Sequence, residues 1–163
     1  MAEASIRPAV NEDAEPVAAM WHAGWRDAHE TILPSELARH RTAESFLSRA
    51  RDARTRTWVA GPAGAPLGFY MLKDDELDQF YVAARARGTG LAAQLIADAE
   101  ARIANTGFET AWLACAIGND RAARFYEKSG WRMAGAFTSK LSVPEGIVEL
   151  DVWRYEKFLR CGV

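Results

Sequence analysis

The stretch "RARGTGLAA", residues 85–93, sets two arginines and two glycines where an apolar run gives way to a helical pattern. A loop that leaves a strand and enters a helix presents unpaired backbone N–H groups at the positive end of the helix dipole. Such a loop is an anion site, and phosphate is the anion it suits. Gly88 and Gly90 remove side chains that would block a close backbone approach, while Arg85 and Arg87 add positive charge around the cradle. The spacing also satisfies a degenerate dinucleotide turn, G-x-G-x-x-A. That reading asks for the turn near the start of its fold and for an acid at the end of the next strand. Here about half the chain comes first, and "TAWLACAIG" ends without an acid. A nucleoside-triphosphate loop needs Gly-Lys-Ser or Gly-Lys-Thr, where this chain has Gly-Thr-Gly-Leu. An ordinary Gly-rich helix cap accounts for the loop, taken alone, as well as a phosphate site does.

The elements that position this loop belong to a chain of 163 residues, 49% of them hydrophobic, which suits one globular domain over residues 1–163 with room for a small-molecule cleft. Lys plus Arg number 20 against 22 Asp plus Glu, a balance that does not favour nucleic acid as a partner. The first twenty residues carry acids where a secretory signal would carry bases, and no apolar run approaches a membrane span, so a cytoplasmic location is expected. Cys115 and Cys161 form neither a CxxC pair nor a disulfide framework, which suits a reducing compartment. Cys115, in "TAWLACA", reads as a buried structural thiol.

"SIRPAV" predicts a first strand, and Asp13 a cap for a helix carrying Val17, Met20, Trp21 and Trp25 on its inner side. Ser35 and Thr42 are candidate caps for the pieces "ELARH" and "AESFLSRARDA". "TRTWVA", a Gly/Pro turn and "LGFYMLK" predict a hairpin, followed by a third strand, "ELDQFYV". Leu91, Leu95, Ile96, Ala99 and Ile103 form the stripe of a helix ending near Asn105 and Gly107. "TAWLACA" is the next strand, and "NDRAARFYEKSG" a helix with Gly130 past its end. "WRMAGAFT" and "IVELDVWRYEKF" form a closing pair of strands. The order describes an α/β fold, a mixed sheet flanked by helices.

The later segment "NDRAARFYEKSGWR" adds a second motif. Together, Arg85-x-x-Gly88-x-Gly90 and the set Asn119, Ala122, Phe125, Tyr126, Gly130 and Trp131 resemble the GNAT N-acetyltransferase superfamily, most sharply between Glu76 and Trp131. The resemblance implies a GNAT-like, mainly antiparallel sheet with a splayed strand pair that binds acetyl-CoA as acetyl donor. The backbone of Phe80, Tyr81 and Val82 would pair with the pantetheine arm. The loop Arg85, Arg87, Gly88, Thr89, Gly90 and Leu91 would bind the pyrophosphate. Asn119 would contact the cofactor arm, and Tyr126 would protonate the departing thiolate. A phenol in hydrogen-bond reach is chemically suited to that task. Simple capping by Asn119 and core packing by Tyr126 are the structural alternatives.

In "DDELDQFYV" strict alternation leaves the apolar residues out of phase, and one extra residue near Asp78 and Gln79, a β-bulge, repairs the pattern. Attack by an amine requires a base, and Glu76 lies where several family members place a glutamate, with Asp78 the neighbouring candidate. A solvated acidic turn is the alternative for both. In the resembled family the first helices roof the acceptor pocket, which makes His22, Trp25 and His29 candidate substrate-binding residues. A metal reading of His22 and His29 fails on their i, i+7 spacing, so no metal is expected. The arginine-rich "RHRTAESFLSRARDARTR" reads as a solvated helix face, with an acidic substrate or another subunit as alternatives. The edges at "TSKLSV" and the C-terminal strand could pair a homodimer, as could other edges. The expected function is acetyl transfer from acetyl-CoA to a primary amine of a small molecule or peptide by direct attack in a ternary complex. A non-catalytic acyl-CoA-binding sensor is the alternative.

Overall fold

The computed structural model describes residues 5–159. Their order is β1 (Ile6–Pro8), α1 (Ala14–His29), α2 (Ser35–His40), α3 (Ala43–Asp52), β2 (Thr57–Ala60), β3 (Gly68–Lys73) and β4 (Glu76–Val82). There follow α4 (Leu91–Asn105), β5 (Thr110–Ala116), α5 (Asp120–Lys128), β6 (Arg132–Val143) and β7 (Gly146–Phe158). The strands form one mixed sheet in the order β1-β2-β3-β4-β5-β7-β6, and β4 and β5 are its parallel pair. Cys161 lies outside the described residues.

The two faces of the sheet follow from the period of two along its strands. On one face Tyr70 and Leu72 of β3 meet the α4 stripe of Leu91, Leu95, Ile96, Ala99 and Ile103, every member of which is buried. On the other, Val59, Phe69 and Met71 meet Val17, Trp21 and Trp25 of α1 and Phe46 of α3. Helices therefore cover both faces, α4 and α5 on one and α1 to α3 on the other, as the α/β reading expects.

The cap expectations divide. Thr42 caps α3 through its hydroxyl, which accepts from the Ser45 N–H at 3.2 Å. Ser35 is already the first residue of α2, and Pro34 takes the capping position. Asp13 precedes α1 without a side-chain capping bond. Its buried carboxylate instead pairs with Arg7 at 2.7 and 3.0 Å and accepts the Val10 and Gly64 N–H groups, tying the first strand and the hairpin turn to the helix entry. "TSKLSV" is the far half of β6, the outermost strand, while β7 is closed by β5 from Val152 to Phe158 and by β6 on its other side.

The predicted bulge is in β4. Leu77 faces Leu72 and Gln79 faces Met71, so Asp78 is the extra residue. Leu77, Phe80 and Val82 thereby share the α4 face, and Tyr81 turns to the α1 face.

Candidate active site

The site begins where two strands part. β4 and β5 share one registered pair, Glu76 with Trp112, and the junction is pinned by Asp75, whose carbonyl and carboxylate accept the Trp112 backbone N–H at 3.1 Å and Nε1–H at 3.2 Å. Beyond this point the edge of β4 that faces β5 has no strand partner. Into the gap opens a cavity of about 760 Å³ walled by β4, β5, α1, α5 and the loop before α4.

At one end stands that loop. Gly88 and Gly90 adopt φ of 78° and 85°, left-handed values that favour glycine, and a Cβ built on either would meet nothing within 4 Å. The N–H groups of Gly88, Gly90, Ala92 and Ala93 have no partner among the described residues, and they lie at the N-terminus of the 15-residue α4. Open space with unpaired donors fits the pyrophosphate of acetyl-CoA. Arg87 lines the cavity and reaches Asp27 of α1 at 3.3 Å, a carboxylate that Arg121 of α5 also approaches at 3.9 Å. Three of the predicted loop contacts lie outside the cavity wall. Arg85 is exposed, Leu91 is buried in the core, and the Thr89 hydroxyl donates to the Ala86 carbonyl. Thr89 and Leu91 thus shape the loop.

In the middle, Asn119 is both a cap and a wall residue, its Oδ1 accepting from the Ala122 N–H at 3.4 Å. Phe125 stacks on Phe80 at 5.5 Å between ring centroids and holds α5 against β4. Tyr126 lines the cavity too, braced by Trp131 and Tyr155, each at 6.2 Å. Trp131 is buried, and its Nε1–H donates to Glu100 of α4 at 3.1 Å, so the Gly-Trp of the second motif anchors the end of α5. Burial holds the Tyr126 phenol above the ordinary tyrosine range, so it stays protonated and able to donate. Cys115 is also on the wall, buried, its thiol pushed up to about 12 by burial, a poor nucleophile as expected of a structural cysteine.

The two acids differ. Asp78, the bulge residue, is held by Arg56 at 2.8 Å with Lys73 at 3.9 Å. Among the described residues Glu76 makes no side-chain ion pair, and burial, reinforced by the Asp78 carboxylate, pushes its carboxyl up to about 7. A carboxylate poised near neutrality is suited to general-base work.

Of the candidate substrate residues, Trp25 and His29 line the cavity, whereas His22 is not on its wall and stacks on Phe46 at 5.0 Å. The His29 Nδ1 donates to the Trp25 carbonyl at 3.1 Å, which leaves Nε2 as an acceptor, and burial lowers its pKa. Three wall residues escaped the sequence reading. Tyr81, expected to contribute backbone, also turns its ring into the cavity against Gly24 of α1, and the out-of-phase rhythm of β4 was the available signal. Arg41 and Arg49, read as part of a solvated face, are half-buried on the wall, although Arg39, Arg51 and Arg54 of the same run are exposed.

Comparisons with known proteins bear on the family and the fold. The sequence pattern of the acetyltransferase (GNAT) family matches residues 17–131. The chain is similar to an uncharacterized N-acetyltransferase of Mycobacterium tuberculosis, 34% identical over 101 residues, which covers 59% of this chain and 65% of the relative, less than two thirds of that protein's length. Its fold is similar to that of a GCN5-related N-acetyltransferase from Rhodopseudomonas palustris, with a TM-score of 0.71, 26% identity and 98% of each chain covered. It is also similar to that of YncA from Salmonella typhimurium, solved with its cofactor acetyl-CoA, with a TM-score of 0.67, 13% identity and 99% and 97% of the two chains covered. The chain belongs to the GNAT acetyltransferase family.

Proposed function

We propose that this protein is an acetyl-CoA-dependent N-acetyltransferase that moves an acetyl group to a primary amine by direct attack while donor and acceptor are bound together. The observation that carries the reading is the splay of β4 from β5, with an open N–H cradle at one end and a carboxyl poised near 7 on the same wall. The acetyl-CoA bound to the similar YncA fold supports the choice of donor. Acetyl-CoA would supply an acyl group activated as a thioester.

The residues divide the work as follows. The free edge of β4 at Phe80 to Val82 pairs with the pantetheine arm as a strand would, and the Gly88 and Gly90 cradle holds the pyrophosphate. Glu76 takes the proton that the neutral amine loses as it attacks, and its carboxyl near 7 matches the operating pH. Tyr126 donates its hydrogen bond to the sulfur, where negative charge develops as the carbon–sulfur bond breaks. Asp78, tied to Arg56, keeps the bulge in place and reinforces the proton affinity of Glu76. No helix among the described residues is long and apolar enough to cross a membrane, and a cytoplasmic location forms part of this proposal.

Isothermal titration of acetyl-CoA, paired with thiol release against a panel of amines, tests the reading. Micromolar binding with release by one amine class supports it. Absence of acetyl-CoA binding would overturn it, and binding without turnover across the panel would favour a sensor.

A further inference from the structure

Two arginines on the cavity wall remain without a task. Arg49 of α3 stacks its guanidinium 4.3 Å from the Trp21 ring centroid and 5.3 Å from that of Phe46. Its Nη1 is buried and has no hydrogen-bond partner among the described residues. Arg41, just past α2, lines the same cavity, and its guanidinium makes no ion pair or hydrogen bond among the described residues. The two arginines sense each other. Burial and the Arg41 charge bring Arg49 down to about 10, which still leaves it protonated at neutral pH.

The groups nearby do not neutralise them. Asp78 lies within the field of Arg49, but Arg56 and Lys73 already hold its carboxylate. Tyr81 is a phenol that burial keeps protonated, and Glu76 is the proposed base. Arg49 thus has near it one carboxylate, Asp78, which Arg56 and Lys73 already hold, while Arg41 adds a further positive charge. A buried guanidinium N–H without an acceptor is costly, and aromatic stacking does not satisfy it. Its planar fork matches a carboxylate in geometry as well as charge.

We propose that the acceptor is an amine that also bears a carboxylate, bound by Arg49 and Arg41 while the amine is presented to Glu76. This rests on the acetyltransferase reading. Trp25, Leu33, Leu37 and Leu141 give the wall an apolar stretch that fits an apolar side chain beside the two charged groups. The same positive charge opposes polyamines. In the transfer the amine nitrogen bonds to the acetyl carbon, the carbon–sulfur bond breaks, the amine proton passes to Glu76, and the sulfur leaves as thiolate or takes the Tyr126 proton.

The test uses the full chain and pairs matched in side chain, with rates referred to the free-amine fraction because the amide lowers the basicity of the amine. Thiol release is measured with L-leucine and L-phenylalanine against their primary amides, with the tricationic spermidine as a polyamine control. In parallel, N-acetyl-L-leucine and N-acetyl-L-phenylalanine, and their amides, are titrated into protein loaded with CoA, which needs no turnover. The carboxylates are expected to be favoured about 10- to 100-fold, the worth of a charge-assisted hydrogen bond. Arg49→Met should erase that preference by raising KM for the amine while leaving KM for acetyl-CoA unchanged, and Arg49→Lys should restore part of it. Should Arg49→Met fail to fold, Arg41→Gln provides the same comparison.

Amides that match or exceed the carboxylates, or carboxylates that bind in neither assay, would overturn the proposal. Amines acetylated without carboxylate preference leave the acetyltransferase reading standing and remove this one. Carboxylates that bind through Arg49 while no amine is acetylated leave a carboxylate site at Arg49 standing but overturn the transfer, and with it the acceptor role.

Discussion

Replacing Glu76 by glutamine should make the protein more stable in alkali and nearly inactive. The unfolded carboxyl titrates near its ordinary 4.5, while in the folded protein burial and Asp78 hold it to about 7. Between those values the unfolded chain binds fewer protons than the folded one, so stability falls as pH rises, and above about 7 the loss is complete. The interval from 4.5 to about 7, at 1.36 kcal/mol for each pH unit, sets a ceiling of about 3 kcal/mol. Solvent reaching a half-buried side chain at a cavity wall lowers this to about 1–3 kcal/mol. Glutamine has the same shape and no charge, so Glu76→Gln keeps that stability at high pH and gains nothing at about pH 4, where both side chains are neutral. Urea denaturation at about pH 4 and about pH 8.5 reads the difference directly. Loss of a positioned general base should lower kcat/KM by about 10²- to 10⁴-fold at the same time. Equal stability of the two proteins at about pH 8.5 would refute the raised carboxyl, and retained turnover would refute its role as base.

Further outcomes are expected from the same geometry. In the wild-type protein kcat/KM should rise with pH through an apparent pKa of about 7 and then level off, a limb that Glu76→Gln abolishes; a flat profile would remove Glu76 from the chemistry. Tyr126→Phe should bind acetyl-CoA normally by calorimetry and turn over at least about 10-fold more slowly, since the ring keeps its packing and loses only the donor. Gly90→Val should weaken acetyl-CoA binding by about 10-fold or more, because a β-branched side chain at φ 85° both strains the loop and fills the cradle. Gly24→Ala would set a Cβ 2.5 Å from Cδ1 of Tyr81, so thermal denaturation should show a loss of about 1–3 kcal/mol together with reduced turnover.

Much of the frame could be read from local pattern. The α4 stripe is a 3.6-residue period with each member buried, and the β4 bulge was visible as a break in alternation that one extra residue, Asp78, repairs. The loop glycines announced themselves because only a few backbone conformations need glycine. What local pattern does not carry is contact between distant segments. The splay depends on a single β4–β5 pair, and the Asp75 contacts that pin it join residues 37 positions apart in sequence. Which arginines of a charged run turn inward depends on where Trp21 and Phe46 pack, so Arg49 could not be told from Arg51 by composition. Asp13 and Ser35 are cap-type residues in the right places. A buried ion pair claimed the first, and Pro34 preceded the second.

The most direct test of the account mixes the protein with acetyl-CoA and an amine panel that includes amino acids, and follows free CoA thiol and N-acetylated product together. The account predicts that both appear in equal amounts for at least one amine, and that Glu76→Gln loses both while still binding acetyl-CoA. Acetyl-CoA that stays intact across the panel, or thiol released with no acetylated amine, would contradict it.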